Sequence, residues 1–115
     1  MQKLEKEIFI RSKAGEHIPE KNEKILWSLH AISKLRIDRL RKDQVEDSLK
    51  DCIIIEDYDM EGRPLPGCLV LGFIGSEPVH SVIAVDIEFD RIILITVYRP
   101  SPERWENDWK RRKQN

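Results

Sequence analysis

Long apolar runs are missing from this chain of 115 residues, and so are most residues that carry cofactor chemistry. No stretch approaches the roughly 18 apolar residues that a membrane-crossing helix needs. No cationic start leads into an apolar secretory segment either, so the expected compartment is the cytoplasm. Cysteine is scarce: Cys52 and Cys68 both border apolar β-like runs. Reduced, half-buried thiols fit that placement better than a disulfide framework. The histidines and cysteines show neither CxxC nor HxxxH spacing, so no zinc site, metal or other cofactor is expected. A glycine-rich phosphate loop and a nucleophile elbow are absent too, which removes support for nucleoside-triphosphate and covalent chemistry.

Aromatic residues make up 7% of the chain, so Ile, Leu and Val must fill most of the core. Net charge is also missing. A formal charge of −1 lacks the basic excess of a generic nucleic-acid coat. Charge is nevertheless unevenly placed, cationic over 34–42 and 109–113 and anionic over 56–61 and 86–90. Local basic patches therefore remain open to a polyanion.

The length suits one domain, with residues 1–24 as an N-terminal arm and linker and 25–115 as the domain proper. Leu4 and Ile8 have helical spacing, and Gly15 offers a helix stop. A strand through Ile8–Arg11 competes with that helix. Residues 16–24 read as a solvated linker. Ser28 is the N-cap of a short helix carrying Leu29, Ile32 and Leu35 on one side. Leu40 and Val45 then form a hydrophobic staple around an N-cap at Arg41, opening a second helix that buries Val45 and Leu49.

From Cys52 the period shortens to two. CIIIEDY, CLVLGFI, HSVIAVDIE and RIILITVY are β-rich runs separated by EGRPLPG, GSEP and EFD. Helices followed by such runs predict an α+β fold, with N-terminal helices on a mainly antiparallel four-stranded meander. Ser101, Pro102, Trp105 and Trp109 predict a C-terminal helix docked by its tryptophans.

Chemistry has few candidates. His80 opens the third β-run, and a three-residue turn would set it opposite Tyr98. A two-residue turn would set it opposite Arg99, because one step of register flips every side chain. His30 and Lys34 share a helix face, and Arg36 points elsewhere. Each histidine taken alone is commonly a packing residue, and the KRRK tail reads as a frayed cationic end. Asp86 and Glu88, near a turn, are the one place where a divalent ion could be sought.

Three phrases carry a resemblance: LHAISKLRIDRLRKDQVEDSL, RPLPGCLVLGF with PVHSVIAV, and ITVYRPSPERWENDW. Across about residues 26–112 the chain resembles an uncharacterised prokaryotic domain family, itself similar in element order to the RelE/BrnT-like toxins. Genes of that family often stand beside a zinc-finger antitoxin of the YgiT type. The resemblance implies a RelE-like α+β fold and the toxin of a toxin–antitoxin pair, a metal-independent endoribonuclease with RNA and a cognate antitoxin as partners. It marks His30, His80, Tyr98, Pro100 and Trp105. The family's arginine on the histidine-bearing helix is Lys34 here, which loses the two-pronged grip on phosphate. A second arginine is Asp38. The glycine at the helix break is Arg39, so a non-glycine residue should take a left-handed or bridging conformation there.

His80, Tyr98 and His30 are thus the expected catalytic residues, and Lys34, Arg36, Arg99 and Arg104 the expected phosphate ligands. The competing expectation is a catalytically inactive RelE-like protein-binding module or degenerate toxin, suggested by the near-zero net charge and the two replaced arginines. A metal-dependent nuclease at Asp86 and Glu88 is the third.

Overall fold

The computed structural model describes residues 1–58 and 64–114. In chain order the elements are α1 (Lys3–Glu16), β1 (Ile25–Trp27), α2 (Leu29–Ile37), α3 (Lys42–Ser48), β2 (Ile53–Tyr58), β3 (Gly67–Ile74), β4 (Glu77–Asp86) and β5 (Arg91–Tyr98). The strands form a five-stranded sheet in the order β1-β5-β4-β3-β2. The fold is mixed α+β. Among the described residues, no helix is long and apolar enough to cross a membrane.

The sheet has one strand more than the β-rich runs predict, and it is mixed. β1 pairs in parallel with β5, whereas β2 to β5 are antiparallel neighbours. Three residues give no readable period, so β1 was hidden in the stretch before α2. The preceding linker is tighter than a solvated spacer, since Ile18 and Asn22 bridge each other just after α1. The imidazole of His17 then accepts N–H bonds from Lys24 and Ile25, fixing the entry to β1.

One face of the sheet carries the main core. Ile10 and Ala14 of α1, Ala31 of α2, and Val45 of α3 with its C-cap Leu49 pack there against Val70, Ile83, Val85, Ile92 and Leu94. The strand alternative for Ile8–Arg11 does not form. The helix turns a different side inward from the one its spacing suggested, for Leu4 and Ile8 are exposed. α2 likewise buries Ala31, leaving Leu29 87% exposed and Ile32 exposed. It lies along β5 beyond the end of β1, tied by the Ser28 N–H to the Leu94 carbonyl and by the Ser28 hydroxyl to the Ile95 carbonyl. A helix seated on one strand buries a narrower stripe than one lying across a sheet.

Ser28 caps α2 as expected, accepting from the Ala31 N–H. Arg41 stands at the N-cap of α3 without a side-chain cap bond. Arg39 has φ +53, the left-handed conformation anticipated for this non-glycine residue. Both cysteines are free and fully buried, deeper than half-buried, and burial pushes each thiol up to about 12.

The β4–β5 hairpin decides the candidate site. β4 begins at Glu77, so His80 lies within the strand and does not open it. Asp86 pairs with Arg91, which makes the connection four residues, 87–90, one more than the longer of the two predicted turns. Continued without a break, that register would set His80 opposite Val97. A β-bulge past the Ile83–Leu94 pair inserts Ile95, and His80 meets Tyr98 after all. Two deviations cancel.

The predicted C-terminal helix does not form. Residues 101–112 make one turn, with the Arg104 and Trp105 N–H groups both on the Ser101 carbonyl, and then fold back so that Trp105 bridges Arg112. Asp108 explains the break. Its carboxylate accepts the Lys110 and Arg111 N–H groups, a local turn that competes with helix propagation. Trp109 follows with φ +62. This irregular segment covers one end of the second sheet face, where Leu69, Leu71, His80 and Trp105 are buried. The first predicted turn, 61–67, and the acidic run 56–61 fall partly outside the described residues.

Close packing of β3 on α3 has a direct consequence. A Cβ on Gly72 would stand 2.5 Å from the Ser48 carbonyl oxygen. Both groups are backbone or next to it, so neither can move aside cheaply. Gly72→Ala is expected to lower the unfolding free energy in denaturant titration by about 1–3 kcal/mol, the usual cost of overpacking.

Candidate functional site

His80 sits on the second face, beneath the C-terminal segment, with no exposed surface. Its Nε2 lies 2.7 Å from the Trp109 carbonyl oxygen and its Nδ1 3.1 Å from the Tyr98 hydroxyl. A carbonyl only accepts, so Nε2 carries the proton and Nδ1 accepts from the Tyr98 O–H. The ring also meets Trp105 edge-on, with centroids 4.4 Å apart. Both nitrogens are satisfied by the neutral ring. Burial depresses the His80 pKa, opposed by the Trp109 carbonyl and the Glu56 carboxylate. Burial also pushes the Tyr98 phenol up to about 12.

In front of this pair opens a cleft of about 490 Å³ lined by Lys34, Asp38, Tyr98, Arg99, Ser101, Arg104, Trp105 and Arg112. Four cations therefore face one carboxylate. They differ in freedom. The Arg99 guanidinium donates to the Asp38 and Arg39 carbonyls that end α2, and to Glu77. Arg112 makes a two-pronged pair with Glu56 at 2.7 and 3.0 Å and lies over the Trp105 ring. That pair holds Glu56 below the usual carboxylate range. Lys34 stands 3.3 Å from Asp38. Arg104 is exposed and has no ion pair among the described residues.

Of the residues expected at the site, Tyr98, Lys34, Arg99 and Arg104 line the cleft, with His80 behind Tyr98. His30 and Arg36 are exposed on α2 and do not line it; the His30 Nε2 meets the Thr96 hydroxyl at 3.0 Å. Asp86, the metal candidate, is engaged by Arg91 at 2.9 Å and by the Phe89 N–H. No cluster of three His, Cys, Asp or Glu is arranged to hold an ion among the described residues. Sequence reasoning missed Arg112 and Glu56 altogether. The KRRK tail looked frayed, and nothing local ties it to a strand some fifty residues earlier.

Residues 27–99 match the family described as "Domain of unknown function (DUF4258)". The chain belongs to this family. The DUF4258 match runs from the last residue of β1 to just past β5. His80, Tyr98, Lys34, Asp38 and Arg99 fall inside it, and Ser101, Arg104, Trp105 and Arg112 lie beyond. No curated protein and no solved structure matches the chain.

The buried His80 makes a pH prediction. Its folded pKa lies below the ordinary value of 6.5, so the unfolded chain binds the proton more readily. The stabilisation is complete above about pH 6.5 and is lost as pH falls toward the folded value. Thermal melts from neutral to mildly acidic pH should show the wild type losing stability more steeply than His80→Gln, which has no such proton to take up.

Proposed function

We propose that this DUF4258 protein is a RelE/BrnT-like RNA-binding toxin that cleaves RNA without a metal, acting in the cytoplasm under control of a cognate, zinc-finger-type antitoxin. The observation that carries the reading is a tyrosine hydroxyl hydrogen-bonded to a buried, tautomer-fixed histidine, at the wall of a cleft with four cations.

Metal-free RNA cleavage needs a proton acceptor for the 2′-hydroxyl and cations for the negative charge that builds on phosphorus. A phenol with a pKa of about 12 is a poor base by itself. Linked to His80 it need not ionise: as the Tyr98 oxygen takes the 2′-hydroxyl proton, its own proton passes to Nδ1. The imidazolium so formed keeps its Nε2 bond to the Trp109 carbonyl, the same logic by which a third group orients the base of a catalytic triad. The 2′-oxygen then attacks phosphorus, and the 5′-oxygen leaves with a proton from water. The products are a 2′,3′-cyclic phosphate and a 5′-hydroxyl end. Tyr98 is the catalytic residue in this scheme, and His80 acts through it. Lys34 and Arg104 bind the phosphate, Arg99 shapes the wall, and His30 and Arg36 extend the basic surface along α2.

The complete burial of His80 favours a second reading, in which the histidine only pins the C-terminal segment and the cleft belongs to a catalytically silent binding module.

Purified protein incubated with single-stranded RNA and a chelator distinguishes the two. The nuclease reading expects cyclic-phosphate ends from the wild type and a rate reduced about 10²-fold in Tyr98→Phe, with RNA affinity retained. Lys34→Ala and Arg104→Ala should each flatten the dependence of log K on log salt by about 0.7, one phosphate contact on a single strand. Undiminished cleavage by Tyr98→Phe removes the mechanism. RNA binding without cleavage by the wild type establishes the silent module instead.

A further inference from the structure

α2 seats Ala31 on β5 and turns its other side away from the molecule. Leu29, Ile32 and Arg36, spaced i, i+3 and i+7, form one outward row, with Ser33 and Ile37 in the row beside it. All five are exposed, Leu29 by 87%, Ile37 by 68% and Ile32 by 46%. Ser33 is the smallest of them and turns its hydroxyl back to the His30 carbonyl, which leaves a low point between Leu29 and Ile37.

The uncompensated charge around this side is of one sign. α2 contains no carboxylate. Asp38, at its end, is turned to Lys34 and to the Arg99 N–H, and Asp43 is paired with Arg41. Arg36, Arg39 and Lys42 are exposed and make no ion pair among the described residues. Such a pattern discriminates between occupants. A second copy related by a twofold axis would bring Arg36 and Arg39 near their own like. A lipid surface would have to take Arg36 beneath its headgroups, because that side chain stands within the aliphatic patch. RNA would meet three aliphatic side chains that it can neither pair with nor stack on. A helix with an aliphatic row and carboxylates beside it satisfies both features, since helix ridges interdigitate and flanking charges select the partner.

We propose that the outward side of α2 is a docking site for an acidic amphipathic helix of a partner protein. Its aliphatic row would lie on Leu29, Ile32 and Ile37, and its carboxylates on Arg36 and Arg39. No residue lining the cleft takes part, so the contact does not depend on the nuclease reading. Of the residues given to RNA, it engages Arg36 alone.

The probe is a labelled peptide of about 20 residues, with leucine at every third or fourth position along one side, glutamate beside the leucines and alanine elsewhere. Fluorescence anisotropy against the full chain is expected to show saturable binding in the micromolar range. Leu29→Asn, Ile32→Asn and Arg36→Glu should each raise the dissociation constant at least tenfold. Ile8→Asn, on the exposed side of α1, should leave it unchanged. The same peptide with lysine in place of glutamate should bind Arg36→Glu better than the wild type. All the altered positions are exposed, and far-UV dichroism with thermal melts checks that the variants fold. No binding at several hundred micromolar overturns the proposal. So does binding that Arg36→Glu alone weakens, which is charge attraction without docking. Single-stranded RNA and anionic lipid vesicles are titrated beside the peptide. If Leu29→Asn weakens either of these and leaves the peptide unaffected, the surface belongs to that ligand and the proposal falls.

Discussion

A neutral imidazole ties the C-terminal segment to the second sheet face. His80 belongs to β4, yet its Nε2 proton is spent on a carbonyl of the irregular C-terminal segment, 29 residues later in the chain. Once that bond is made, Nδ1 of the neutral ring can only accept, and Tyr98 supplies the hydroxyl that it meets. Trp105 closes over the ring. Each contact depends on the others, because burial favours an uncharged ring with both nitrogens paired over a charged or half-paired one. Without this knot, residues 101–112 would be held to the sheet chiefly by the Arg112–Glu56 pair, and the wall that carries Arg104 and Arg112 would be weakened.

Cations in the cleft are graded by how firmly they are held. Arg99 ties the end of α2 to the end of β5 and Arg112 ties the C-terminal segment to β2, so both are architecture first. Lys34 is partly neutralised by Asp38, and Arg104 makes no ion pair among the described residues. Asp38 is the pivot of that gradation. It moderates Lys34 and at the same time accepts the Arg99 N–H, so the carboxylate that offsets positive charge at the end of α2 also fixes the wall of the cleft. Surface ion pairs of this kind add little stability individually, but together they hold the cleft's cations in place.

Much of the architecture could be read from local patterns. The long β-rich runs became β2 to β5 and the Ser28 and Arg41 helix starts were found, while the left-handed Arg39 was anticipated from the resemblance, which puts a glycine at this helix break. Such features rest on a few neighbouring residues. What failed was non-local. β1 is too short to show a period and exists because β5 offers it an edge. Leu29 and Ile32 had helical spacing but no surface to cover, since α2 meets a single strand. Two tryptophans four residues apart suggested a helix, which the Asp108 turn interrupts. Among the residues that line the cleft, Tyr98, Lys34, Arg99 and Arg104 had been expected to lie near one another, whereas Arg112 and its partner Glu56 left no sign in the sequence.

Residue order alone determined where four of the five strands would appear, where two of the helices would start and which ionisable groups would be available. Tertiary structure decided which of those groups meet, and in what protonation state. The hairpin register shows why. Turn length and bulge each displace the partner of His80 by one residue in opposite senses, and only their sum sets it against Tyr98. Burial then decides the rest, because a ring taken out of water keeps the form its fixed neighbours can satisfy.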